Sequence, residues 1–324
     1  MNITDFTTPE GTRDTLPDVC DRLSTLQNKL ASFAAERGYG EIKTPGLEFY
    51  DLFCGKSKLF QQESLYKLTD SRGRLLVLRP DSTLPVARAV CSRLGSFKFP
   101  LKLFYRQTIY RANPKMSGRD DEIRQFGIEI IGEDRGKGDR LSLEAAFRML
   151  DITGISDFRV EIGDNTFFLF LTNKLNLSDD DTANLAALIE QKNYKEVSDF
   201  LSPFSENQYA RALVQLPRLF GGVSVFHSAK SAFVGCGLDP KLSEFSKLFA
   251  EMSKVYGDRV TADFGMTSRH GFYTGTVFRA YAAGHGKPVL SGGRYDTLYT
   301  EFGADLSAVG FALNIDAVGE ILDR

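Results

Sequence analysis

Leu23, Leu26, Leu30 and Phe33 recur three or four residues apart between Asp18 and Gly38-Tyr39-Gly40. That spacing puts them on one face of a helix, so the first long element is predicted to be amphipathic and to stop at the glycines. Residues 75–78, 101–105 and 123–131 are rich in β-formers. The last two runs flank a polar stretch with Asn113-Pro114-Lys115 and Gly118-Arg119, which predicts two antiparallel strands joined by a long loop. Residues 141–150 read as helix, and Phe158, Val160 and Ile162 alternate as on a half-buried strand. From Asn165 to Tyr256 helical spacing dominates, as in Leu185, Leu188 and Ile189 or Leu242, Phe245, Leu248, Phe249 and Met252. Strand signals return at 260–264, 274–282 and 308–313, with glycine turns expected at Gly284, Gly286 and Gly292-Gly293. Strands interrupted by a helical block predict an α+β fold on an antiparallel sheet flanked by helices. The expected organisation is a core in two parts, residues 1–164 and 257–324, around an inserted helical subdomain, residues 165–256.

Composition narrows the class. The chain has 324 residues, 42% hydrophobic and 25% charged, enough for about two domains with a sizeable core. Forty basic against 42 acidic side chains leave a net charge of -2, so no general electrostatic footprint for a polyanion exists. The first residues hold acids and no apolar stretch, unlike a secretory signal. The densest apolar cluster, Phe167 to Leu171, is far too short to span a membrane. Cys20, Cys54, Cys91 and Cys236 stand apart without a C-x-x-C pair, which fits reduced thiols in the cytoplasm and no metal centre.

Common catalytic signatures are mostly absent. Gly55-Lys56-Ser57 resembles the end of a P-loop, but position 50 is Tyr, and Gly235-Cys-Gly237 lacks a third glycine because position 240 is Pro. His227, His270 and His285 form neither a metal helix nor a triad. The informative segment is Arg124-Gln125-Phe126-Gly127-Ile128-Glu129-Ile130. On a strand, Phe126, Ile128 and Ile130 share one face while Gln125, Gly127 and Glu129 share the other. An amide and a carboxylate then flank a residue without a side chain, either a floor for a small ligand or a solvated face with a glycine bulge. On the first reading, truncating Glu129 costs ligand affinity and little stability. Tyr273 and Tyr295 lie beside glycine-rich turns, where they present a ring and hydroxyl to a ligand or pack at a sheet corner. In Arg79-Pro80-Asp81-Ser82-Thr83, Ser82 or Thr83 is placed to cap the next helix.

Together these segments resemble the catalytic core of histidyl-tRNA synthetase, a class II aminoacyl-tRNA synthetase. Glu41 to Pro45 is similar to the first class II motif, Ile109-Tyr-Arg111 through Glu129 to the second, and Val309 to Leu313 to the start of the third. Phe272 to Phe278 and Gly292 to Asp296 are similar to the histidine-specific segments. Aligned on Thr276-Val-Phe278, the synthetase's catalytic arginine falls on Ser268, with Arg269 out of register and Gly271 in place of an aspartate. The third motif's ATP-binding arginine falls on Ala317, and the chain stops at Arg324 before any anticodon-binding domain. Carboxylate activation needs cations on the transferring phosphates, so the expectation is a protein that is not an enzyme.

Residues 8–14, Leu213 to Pro217 with Leu219 to Gly222, and Tyr281 to Gly286 are similar to a paralogous family, the regulatory subunits of ATP phosphoribosyltransferase. That resemblance implies a non-catalytic, histidine-binding subunit without a cofactor. It also implies a homodimer within a hetero-oligomer with the short-form catalytic subunit, activating it and making it sensitive to feedback by L-histidine. Carried over by position, the histidine-binding residues are Asp81, Thr83, Arg111, Gln125, Glu129, Tyr273, Arg294 and Tyr295. Asp81, Thr83 and Gln125 would hold the ammonium, Glu129 and the tyrosines the imidazole, and Arg111 the carboxylate. A truncated histidine-activating enzyme and an RNA-binding relative are the alternatives.

Overall fold

The computed structural model describes residues 6–55, 60–114, 118–267 and 272–323. Its strands in chain order are β1 (Gly40–Glu41), β2 (Leu47–Phe49), β3 (Lys67–Thr69), β4 (Leu75–Leu78), β5 (Leu101–Tyr110) and β6 (Glu122–Ile131). They continue as β7 (Phe158–Asp164), β8 (Phe220–Gly221), β9 (Val260–Asp263), β10 (Thr276–Ala282), β11 (Leu290–Arg294) and β12 (Ala308–Asn314). The chain divides into two compact units, residues 1–133, 145–156 and 298–324 in the first, and residues 134–144 and 157–297 in the second.

In the first unit β6 lies between β5 and β12, and β1 borders β5. The β5–β6 ladder runs unbroken from Leu101 opposite Ile131 to Tyr110 opposite Glu122, so the predicted antiparallel pair forms without a bulge. β12 pairs antiparallel with β6, whereas β1 runs parallel to β5. The first helix spans Pro17–Glu36 and buries Leu23, Leu26, Leu30 and Phe33, the residues its periodicity selects. It reaches the helix Ile315–Leu322 closely at Gly319, where an added Cβ would lie 3.0 Å from Leu23. Phe104 and Phe126 stack across β5 and β6 with centroids 5.4 Å apart.

The second unit orders its strands β11-β10-β7-β9-β8. β10 is antiparallel to both neighbours, and β7 runs parallel to β9. Parallel neighbours need a long crossover, supplied by helices between Thr166 and Tyr256. The sheets are therefore mixed, with the antiparallel pairings in the majority. Gly292 and Gly293, expected in a turn, lie inside β11 opposite Phe278 and Val277. The reason is close approach: a Cβ on Gly293 would sit 2.7 Å from the Tyr273 ring and from the Thr276 carbonyl.

The core of this unit is aromatic. Phe264 is 1% exposed and meets the rings of Phe167, Phe226, Phe233 and Phe245 at centroid distances of 5.1, 5.6, 5.9 and 5.2 Å. Among the described residues, no helix is long and apolar enough to cross a membrane. Truncating this hub by Phe264→Ala should cost about 3–5 kcal/mol through lost burial and an unfilled cavity. Urea unfolding followed by circular dichroism measures it; a loss below about 1 kcal/mol would remove Phe264 from the centre of the core.

Candidate functional site

The informative face of β6 is not solvated. Glu129 is 1% exposed and Gln125 half-buried, while Phe126, Ile128 and Ile130 fill the opposite face. Gly127 faces Tyr105, its partner on β5, and a Cβ at Gly127 would collide with the Tyr105 phenol. The glycine thus makes room for the chain's own ring, an arrangement invisible without the strand pairing.

Glu129 accepts a hydrogen bond of 3.0 Å from the Thr83 hydroxyl. On β12 its register partner is Gly310, where any Cβ would run into the carboxylate. Tyr299, fully buried nearby, is held protonated well above its ordinary range by burial, then by the Glu129 charge and by Cys91. Sequence reasoning missed Tyr105, Tyr299 and Gly310; only the glycine within a strand pattern signals such close approach.

Thr83 is placed by the start of the helix Thr83–Cys91. The cap is Asp81 rather than Ser82 or Thr83: its carboxylate accepts the Leu84 N–H at 3.0 Å, leaving the Thr83 hydroxyl for Glu129. Burial raises the Asp81 carboxyl, opposed by backbone N–H donors and by the Arg111 charge. Arg111 donates from Nε to the Pro80 carbonyl at 2.9 Å, and its guanidinium lies 5.9 Å from the Phe60 ring centre. Among the described residues the Gln125 side chain has no hydrogen-bond partner. The segment 8–14 is tied to the same strand: Asp121 N–H donates to the Gly11 carbonyl at 2.7 Å, and Arg13 pairs with Glu320 at 2.7 Å. Asp121 also accepts from the Asn113 amide at 2.8 Å and from the Tyr66 hydroxyl.

In the second unit Arg294 is 2% exposed. Its Nε donates to Asp139 at 2.9 Å, one terminal nitrogen to Asp296 at 2.9 Å, and the other to the Arg135 carbonyl at 2.8 Å. Asp139 in turn accepts from the Thr276 hydroxyl at 2.9 Å. A planar cation satisfied on three sides holds β11 and the helix that starts at Arg135 together. Tyr295 is 2% exposed and stacks on Phe272 at 5.5 Å. Tyr273 is half-buried, its ring over Gly293 and its carbonyl accepting from Asn165 at 2.6 Å. Ser268, Arg269, His270 and Gly271, like Lys56, Ser57 and residues 115–117, lie outside the described residues. His227 is exposed on the helix Val225–Ala232, and at Ala317 the backbone N–H is taken by Asn314 at 3.0 Å.

This strand arrangement is that of the histidyl-tRNA synthetase class, whose family model, "Histidyl-tRNA synthetase", matches residues 11–318. A histidyl-tRNA synthetase from Nostoc superposes with a TM-score of 0.78 at 18% identity, over 98% of this chain and 75% of that one. A Bacillus halodurans structure titled ATP phosphoribosyltransferase regulatory subunit/histidyl-tRNA synthetase superposes better, at 0.86 with 31% identity, over 98% of this chain and 84% of that one. The ATP phosphoribosyltransferase regulatory subunit of Clostridium acetobutylicum is 37% identical over 97% of this chain and 78% of its own. The chain belongs to the family of ATP phosphoribosyltransferase regulatory subunits.

Because Glu129 is buried, the expectation that its truncation leaves stability untouched is revised. Glu129→Ala leaves the Thr83 hydroxyl without its acceptor and opens a void, and should cost about 1–3 kcal/mol without ligand. An unchanged midpoint of denaturant unfolding would show that the site collapses freely. A second outcome concerns alkaline pH. Donation to Asp121, aided by burial, pushes Tyr66 up to about 12 from 10.0. A raised pKa means stabilisation that is complete below the ordinary value and lost as pH rises through the folded one, here between about 10 and 12. Tyr66→Phe should flatten the stability loss in that window and remove one late step from the tyrosinate absorbance titration; identical curves would rule out the Tyr66–Asp121 bond.

Proposed function

We propose that this chain is the histidine-binding regulatory subunit of short-form ATP phosphoribosyltransferase, the first enzyme of histidine biosynthesis. In this reading it has no chemistry of its own. It activates the catalytic subunit and confers feedback inhibition by L-histidine, as a homodimer within a hetero-oligomer. The observation that carries the proposal is the match to regulatory subunits along nearly the whole chain, at 37% identity over 97% of it.

The β6 site supports histidine as the effector. A buried carboxylate beside a threonine hydroxyl suits an imidazole N–H, and the half-buried Gln125 amide offers an oxygen to an ammonium group. Asp81 engages its own helix, so in this proposal it acts by placing Thr83 while its charge adds to the attraction for the ammonium. Arg111 is the candidate for the ligand carboxylate, and on the second unit Tyr273 is the candidate with a ring only half-covered. Arg294 and Tyr295, carried over by position, would act in histidine recognition by fixing neighbouring segments. ATP activation is proposed to be lost, with Ala317 where the synthetase keeps an arginine.

The test is a rate assay on the catalytic subunit alone, with this chain, and with Gln125→Ala, each across a histidine series. Wild type should raise the rate and make it histidine-sensitive. Since a charge-assisted hydrogen bond contributes roughly 1.5–3 kcal/mol, Gln125→Ala should weaken histidine binding about tenfold or more. Its thermal midpoint should stay put, because the amide has no partner among the described residues. If wild type alters neither rate nor histidine response, the regulatory reading fails. Histidine-dependent exchange of pyrophosphate into ATP would instead identify a truncated synthetase.

A further inference from the structure

The two later segments that resemble the regulatory family rather than the synthetase, residues 213–222 and 281–286, meet in the second unit. Pro217 and Phe220 from one and Tyr281 from the other line a single cavity of about 490 Å³, with Arg218 between the first two. Its floor is one face of the sheet, where Glu161 on β7 stands opposite Arg279 on β10 and Asp263 lies on the adjacent β9.

Most charges in the cavity are neutralised from within. Lys192 holds both Asp263 oxygens at 2.7 and 2.9 Å, and Arg279 donates to Glu190. Glu161 is the exception. It is half-buried, and among the described residues it makes no hydrogen bond and no ion pair. Burial pushes its carboxyl up, and the Asp263 charge adds to that shift against Lys192 and Arg279. A half-buried carboxylate without a donor is costly, and a cation arriving from outside relieves that cost.

The rim is apolar and open. Tyr194 and Phe220, which line it, are 43% and 50% exposed, and β8, which carries Phe220, is the edge of the unit's sheet. The Arg218 guanidinium lies 4.7 Å from the Tyr194 ring centre. A free amine would satisfy Glu161 but leave these surfaces in water. A protein surface with one basic side chain at the centre of an apolar contact covers both, the usual anatomy of an interface anchor.

We propose that this cavity receives a lysine or arginine side chain of the catalytic subunit, paired with Glu161 and flanked by Phe220 and Tyr194. The proposal rests on the regulatory-subunit reading. The experiment is calorimetric titration of the catalytic subunit from the same organism with wild type, Glu161→Gln, Phe220→Ala and, as a control outside the cavity, Val234→Ala. The first two variants should bind about tenfold or more weakly while melting like wild type, and Val234→Ala should bind normally. Phe220 is exposed, so its variant folds even if Glu161→Gln does not. Wild-type affinity in both variants overturns the docking site and leaves the regulatory reading standing. A wild-type chain that binds no catalytic subunit overturns both. Glu161-dependent binding of free lysine or arginine, with complex formation indifferent to Phe220→Ala, makes this a small-molecule site and overturns the docking proposal.

Discussion

Holding a carboxylate at 1% exposure on an inner strand constrains everything around Glu129. Such a group survives burial only when donors surround it and nothing crowds it. Thr83 supplies a donor at 3.0 Å, and Thr83 is aimed because Asp81 has taken over the capping of its helix. Across the sheet, β12 must offer a residue without a side chain, which fixes Gly310. Tyr299 stays a protonated phenol in that field. One buried charge therefore dictates residue types on a helix start, a second strand and a distant aromatic position.

The second unit solves the same problem by saturation. Arg294 and Asp139 neutralise one another, with Asp296, Thr276 and a carbonyl completing the set. Fully satisfied buried ions act as structural fasteners. Glu161 and Gln125 differ: among the described residues neither side chain has a hydrogen-bond partner, and the functions proposed above assign one to a partner's cation and the other to an effector's ammonium.

Much of this was legible in the sequence wherever period alone decides. The first helix, the β5–β6 hairpin, the returning strands and the shared face of Gln125 and Glu129 all follow from spacing of 3.6 or 2. What period cannot supply is the neighbour across the sheet. Gly127 fits either a ligand floor or a solvated face with a bulge because Tyr105 reaches it only through pairing, and Gly292-Gly293 fits a turn because the Tyr273 ring lies far away in sequence. The parallel pairing of β7 with β9 and the Arg294–Asp139 contact are hidden for the same reason. The segments at 213–222 and 281–286 were legible as resemblances, but their meeting at one cavity belongs to the fold.

The position of Gly310 on β12 also bears on how the chain is made. β6 pairs with β5 as soon as the hairpin leaves the ribosome, but its other edge waits for β12, encoded after the entire second unit. At typical elongation rates that wait is on the order of ten seconds. An unpaired edge is an invitation to neighbouring nascent chains, and an inward-pointing charged side chain is one of the means by which proteins discourage such pairing. Until Gly310 arrives, a foreign strand with any side chain at that register position would meet the Glu129 carboxylate, as a Cβ at Gly310 itself would.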